Sequence, residues 1–224
     1  MPTNRKVVFA NDEIYHVFNR GVEKRSTFTT KRELDRGVQT LDFYRFADLL
    51  LKLSKFLTLP EEEKEKFIQN IKRDHKKLIE IVCYCLMPNH FHFLLKQKLG
   101  NGISTFTSNF TNSYTKYFNT RHERLGPLFE GVFKAVHIES DEQLIHVSRY
   151  IHLNPVSSFL IGPEQLESYA WSSYPEYLGL SNQNIADKEI VLDFFHSKKK
   201  YKQFCLDQVD YARKLEQIKH VTLE

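Results

Sequence analysis

The run Ile79-Glu80-Ile81-Val82-Cys83-Tyr84-Cys85-Leu86-Met87-Pro88-Asn89-His90-Phe91-His92-Phe93-Leu94-Leu95 constrains the fold of this chain more than any other segment. β-branched and aromatic residues, which suit a pleated surface, stand on both sides of it. Pro88-Asn89 interrupts them with two turn formers, so the run reads as a tight antiparallel hairpin. Side chains two apart on a strand share a face. His90 and His92 therefore project side by side, while Phe91, Phe93 and Leu95 point the other way. That spacing suits two ligands of one metal ion. It also suits two ordinary edge-strand histidines. Neither a Cys2His2 nor a His-Glu-x-x-His pattern is present, so a third ligand and a reactive group have to come from elsewhere.

Strands and helices alternate around this hairpin. Ile14 to Asn19 alternates apolar and polar residues and ends in the turn signal Arg20-Gly21, which predicts a first strand. Lys31 to Leu59 acquires helical spacing in its second half, and Pro60 opens a charged helix reaching about Lys76. Gly100-Asn101-Gly102 ends the histidine strand, and Ile103 to Asn119 reads as a helix. Gly131 to Ile138 returns to strand. Ser140-Asp141-Glu142-Gln143 is a capping box opening a helix expected to stop at Pro155. From Asp187 the tail is helical and basic, with Lys198-Lys199-Lys200. The pattern predicts an α+β sandwich with a mostly antiparallel sheet.

A length of 224 residues with 41% hydrophobic content fits one large domain, or one domain plus an extension. A net charge of +4 permits nucleic-acid binding without requiring it. Met1 to Ala10 lacks the apolar core of a signal peptide, and no apolar run approaches a membrane span. Cys83 and Cys85 lie on one strand face, where they cannot easily bridge, and Cys205 is distant. The expectation is a reduced, intracellular protein with no disulfide framework and no membrane partner.

The helix from Ser140 carries Tyr150 and Asn154, which lie four apart and so share a face. Tyr150 can present a phenol beside a metal, and Asn154 an amide oxygen as its ligand. The alternative keeps Tyr150 in the core and makes Asn154 a helix-end residue before Pro155. His152 lies on a different face and reads as structural. Tyr114 and Tyr117 are alternative nucleophiles, although their spacing with Phe110 reads mainly as a packed stripe. Lys116, Arg121, Arg124 and Lys134 can contact phosphates or be ordinary surface charge. Trp171, Tyr169 and Tyr174 can stack bases or fold onto the core. Lys198 to Lys202 can grip DNA or simply be solvated.

Several of these motifs occur in an order that resembles the HUH endonuclease superfamily, and within it the bacterial REP-associated tyrosine transposases. They are Tyr15-His16-Val17-Phe18-Asn19-Arg20-Gly21, the hairpin from Tyr84 to Leu95, Gly126 to Lys134, Arg149-Tyr150-Ile151-His152-Leu153-Asn154-Pro155-Val156, and Tyr169 to Tyr174. The third departs from the family pattern, with Phe129 where Trp is usual and Val132 where Arg is usual. The resemblance implies a ferredoxin-like sheet with helices on one face. It implies a catalytic domain over residues 1–178 with a helical insertion at about 31–76, followed by a basic helical extension over 179–224. His90, His92 and Asn154 correspond to the metal ligands, for Mg2+ or Mn2+, and Tyr150 to the nucleophile. Arg20, Lys116, Arg121, Arg124, Lys134 and Trp171 are the candidate DNA contacts. The implied activity is single-stranded DNA cleavage and strand transfer on hairpin-forming DNA through a 5′-phosphotyrosine, by a monomer in the bacterial cytoplasm. Two rivals stand beside it: a catalytically silent nucleic-acid-binding protein, and a metallohydrolase using activated water.

Overall fold

The computed structural model describes residues 7–74 and 76–222. Four strands, β1 (Ile14–Arg20), β2 (Ile79–Met87), β3 (His90–Gln97) and β4 (Lys134–His137), form one sheet in the order β2-β3-β1-β4. All three pairings are antiparallel. The hairpin turns on Pro88-Asn89 alone, as its residues predict. Two helices fill the crossovers: α1 (Lys31–Tyr44) between β1 and β2, and, after the short α2 (Leu53–Phe56) and charged α3 (Glu61–Asp74), α4 (Gly102–Arg121) between β3 and β4. This is the ferredoxin-like arrangement, with the expected helices on one face.

Strand alternation divides the interior into two cores. Val17, Phe91, Phe93 and Leu95 point toward α1 and α4, where they meet Leu41, Phe106, Phe110 and Tyr114. Cys83, Cys85 and Leu94 point to the opposite face. That second face is covered by α5 (Asp141–Ser157) together with α6 (Tyr174–Leu178), α7 (Glu189–Leu192), α8 (Lys198–Leu206) and α9 (Val209–Thr222). Tyr201 and Cys205 of α8 are fully buried there, so residues 179–222 complete a core rather than trail from one. The three cysteines are free and buried.

Two expectations need correcting. The insertion read over 31–76 includes α1, which is the sheet's own crossover helix; Glu33 and Thr30 form its capping box, and Leu34, Val38 and Leu41 seat it on the core. Only the segment after Tyr44 decorates the basic fold. Second, α5 does not stop at Pro155 but runs through it to Ser157. A proline removes one backbone donor, yet Ile151 to Ser157 are all buried, and that packing holds the last turn in place.

α4 begins where a side chain has no room. A Cβ on Gly102 would lie 2.1 Å from the Leu78 carbonyl oxygen, so this glycine lets the helix start against the entry to β2. No helix among the described residues is long and apolar enough to cross a membrane.

Candidate active site

The second face of the sheet carries the polar cluster. His90 and His92 share it with His16, Phe18 and Arg20 of β1, because Arg20 pairs with His90 and Phe18 with His92 across the ladder. His92 is almost fully buried and His90 half-buried. α5 lies across β2 and β3 and brings its C-terminal turns over the histidines.

Tyr150 and Asn154 do project together, one helical turn apart, toward that pair. The Tyr150 ring meets His92 edge-on at 5.4 Å between centroids and His16 at 6.1 Å. Tyr150 is 41% exposed, with its ring resting on the imidazoles. Asn154 is buried, with Oδ1 3.1 Å from His90 Nε2. The other ring nitrogen of His90, Nδ1, is 2.6 Å from Asn89 Oδ1. Burial lowers the pKa of His90, against opposing effects from the Asn154 contact and the Glu216 carboxylate of α9, while Arg20 adds to the lowering. A neutral imidazole has one N–H to give, and the tautomer decides which of the two amide oxygens receives it; in one form the proton sits on Nδ1, toward the shorter contact. The Nε2 lone pair then faces an amide oxygen. Two ligands at right angles on an ion with bonds of about 2.1 Å stand roughly 3 Å apart, so the spacing of these two acceptors fits a divalent cation held between them. Among the described residues no group of three or more His, Cys, Asp and Glu side chains is arranged to hold a metal; the donors gathered here are two imidazoles and one amide.

His16 belongs to this cluster and was not singled out by sequence reasoning. Its Nε2 is 2.9 Å from His92 Nδ1, and with the ring centres 5.1 Å apart and the planes 27° from parallel the two imidazoles meet edge to edge. Burial pushes its pKa down to about 4. The signal was available in the alternation of Tyr15-His16-Val17-Phe18, which opposes His16 to the apolar core face.

The alternative tyrosines lie elsewhere. Tyr114 is buried on the α1 and α4 side, donates its hydroxyl to the Thr27 carbonyl at 2.7 Å, and has its pKa raised by burial. Tyr117 belongs to the same helix and packs against the same core. His152 is fully buried, 2.7 Å from the Tyr201 hydroxyl and 2.8 Å from Ser173 Oγ, which bears out its structural reading.

The candidate DNA contacts divide between the two faces. Arg20 shares the histidine face and pairs with Glu130 at 2.6 Å. Lys134 stands opposite Phe18 on the same face and is exposed. Lys116 and Arg121 sit on α4, across the sheet, and Arg121 is 3.2 Å from the buried Glu33. Arg124, just past α4, is bound to Asn119 and Pro127. Trp171 donates its indole N–H to Asp35 at 2.9 Å and packs between both cores. The second face thus assembles His90, His92, Asn154, Tyr150, His16, Arg20 and Lys134, and does not include the other four.

Residues 56–154 match the model of the family described as Transposase IS200 like. That span runs from α2 to Asn154 and contains both histidines and Tyr150. No curated protein matches the chain. Among solved structures, a REP-associated tyrosine transposase bound to a REP hairpin is similar at 16% identity, covering 84% of this chain and 98% of that one with a TM-score of 0.50. The resemblance drawn from the motifs therefore holds: residues 56–154 match the IS200-like transposase family, and the fold around them is shared with a REP-associated tyrosine transposase.

Proposed function

We propose that this protein is a divalent-metal-dependent, tyrosine-using DNA transposase that cleaves and rejoins single-stranded DNA beside a hairpin. The observation that carries the reading is the convergence of Tyr150 on His92 and of Asn154 on His90, from two elements roughly sixty residues apart in the chain. A protein that only bound DNA has no need of a tyrosine resting on His92 and His16 beside an inward amide. The hairpin substrate is supported by the solved relative, which holds a REP hairpin.

His90 and His92, through Nε2, and Asn154, through Oδ1, would hold Mg2+ or Mn2+. When bound, the ion supplies Lewis-acid stabilisation of negative charge on the phosphate and on a phenolate. The chain's own residues do the rest. Tyr150 sits at the open edge of the site, where its oxygen can reach a phosphate while its ring is held by His92 and His16. Its hydroxyl gives up its proton to solvent as the oxygen attacks the scissile phosphorus in line; the bond from phosphorus to the 3′ oxygen breaks, and that oxygen takes a proton from solvent and leaves as a 3′-hydroxyl. The 5′-phosphotyrosine keeps the energy of the original ester, so a later 3′-hydroxyl can displace Tyr150 and reseal a strand. Arg20 and Lys134 place positive charge on the same face for flanking phosphates. We propose a cytoplasmic setting as well, where such DNA would be met.

The test is a denaturing gel of the protein incubated with hairpin-flanked single-stranded DNA and Mg2+ or Mn2+. A protein–DNA adduct that disappears in Tyr150→Phe is expected. Cleavage that survives Tyr150→Phe with no adduct would make the protein a metallohydrolase, and binding with no cleavage under either metal would make it a silent module.

A further inference from the structure

The two histidines of the hairpin have matching outer contacts. His90 Nδ1 lies 2.6 Å from Asn89 Oδ1, and the Asn89 amide nitrogen donates to the Lys24 carbonyl at 3.4 Å, so its oxygen is the face turned to His90. His92 Nδ1 lies 2.9 Å from His16 Nε2. In both rings the Nδ1 edge meets a neighbour outside the Tyr150–Asn154 side of the cluster. For His90 the other nitrogen, Nε2, points at Asn154.

A neutral imidazole carries one proton, and which nitrogen holds it is set by the bond the other nitrogen makes. Asn89 Oδ1 and Asn154 Oδ1 can each only accept, and the shorter contact, 2.6 Å against 3.1 Å, favours the Nδ1–H form of His90. For His92 two arrangements satisfy the contact. If His16 Nε2 carries the proton and donates, the His92 proton must sit on Nε2 and block that nitrogen as a ligand. If His16 Nε2 accepts, His92 is protonated on Nδ1 and its Nε2 lone pair is available. Metal-binding histidines generally donate their second N–H to such an outer acceptor. His16 is well placed for this: it sits diagonally across from His92 on β1, meets it edge to edge with the planes 27° apart, and is wedged against Phe18 and Tyr150.

We infer that His16 is a positioning residue that accepts the Nδ1–H of His92, doing for His92 what Asn89 does for His90, so that both Nε2 lone pairs are directed into the site. The inference rests on the metal-site reading above, but its first readout does not need a metal.

The experiment compares wild type, His16→Phe and His16→Gln. Phenylalanine keeps an aromatic ring beside Phe18 and Tyr150 and removes the acceptor; glutamine restores an acceptor oxygen at similar reach. Nitrogen-detected NMR of the metal-free proteins near neutral pH should show His92 protonated on Nδ1 in wild type and His16→Gln, and shifted toward Nε2 protonation in His16→Phe. Mn2+ titration followed by electron paramagnetic resonance should show affinity about 10- to 100-fold weaker in His16→Phe, the usual cost of losing an outer partner, with recovery in His16→Gln. Wild-type His92 protonated on Nε2 overturns the inference, as does a folded His16→Phe with unchanged tautomer and Mn2+ affinity. Wild type that binds no Mn2+ while His92 keeps Nδ1–H sinks the metal reading and leaves the tautomer assignment standing. Circular dichroism separates a fold defect in His16→Phe from either result, and the wild-type tautomer decides the inference in that event.

Discussion

His152 gives the second core a built-in acid sensitivity whose size follows from its burial. The ring is fully enclosed, hydrogen-bonded to the Tyr201 and Ser173 hydroxyls, and ringed by Tyr174, Tyr177 and Tyr201. Burial alone pushes its pKa from 6.5 down to about 3. Its folded value is therefore depressed, and the native state keeps it neutral where the unfolded chain binds a proton. Stability from this group is complete above about pH 6.5 and falls as pH drops toward about 3, because the unfolded state holds more protons across that window. Each pH unit is worth about 1.4 kcal/mol. Acidification from pH 7 to pH 4.5 crosses two units below the unfolded pKa, a loss on the order of 3 kcal/mol from His152 alone. His16, pushed down to about 4, and the lowered carboxylate Glu33 lose stability in the same direction, so wild type by itself cannot isolate the effect. His152→Gln retains an amide for the two hydroxyls and cannot titrate. Urea unfolding of both proteins at pH 7 and pH 4.5 should show His152→Gln less stable at neutral pH, yet losing about 3 kcal/mol less on acidification. Equal losses in the two proteins would refute a buried neutral imidazole at this position.

Asn154→Ala should weaken Mn2+ binding measured by calorimetry, whereas Asn154→Asp, which replaces a neutral oxygen donor with a charged one, should bind the ion at least as tightly as wild type. Equal binding by wild type and Asn154→Ala would remove the amide from the ligand set. Gly102→Ala should lower stability by about 1–3 kcal/mol in thermal or urea melts, since its Cβ meets the Leu78 carbonyl oxygen at 2.1 Å and the backbone must shift. A neutral result there would show that the α4 entry yields easily.

How much of this molecule was legible in the sequence depended on the range of the forces involved. The hairpin was fully legible, because strand alternation and a Pro-Asn turn are local signals, and the sheet face of His90 and His92 followed from parity. The Phe106, Phe110, Tyr114 stripe was also legible as packing, and the structure buries it. The insertion was drawn too wide because apolar residues continue at helical spacing from α1 into Phe46, Leu49 and Leu53, and nothing local marks where the sheet's own helix ends. Pro155 read as a stop because its missing donor is visible in sequence, while the burial that outweighs it is not.

Ladder register is the nonlocal quantity that decides the site. The sequence places His16 on a strand face but does not say which residue of β3 it meets; the pairing of Phe18 with His92 does, and with it comes the contact at 2.9 Å. The same register puts Arg20 opposite His90 and Lys134 opposite Phe18, and separates them from Lys116, Arg121 and Arg124, which the sequence groups together. A basic residue near a motif in sequence is therefore weak evidence of a shared surface in this fold, since each crossover helix lies across the sheet from the histidines. Face is inherited from the strand. The residues that act together here are those whose strand parity points them at α5, and α5 is set over them by the second core that residues 179–222 complete.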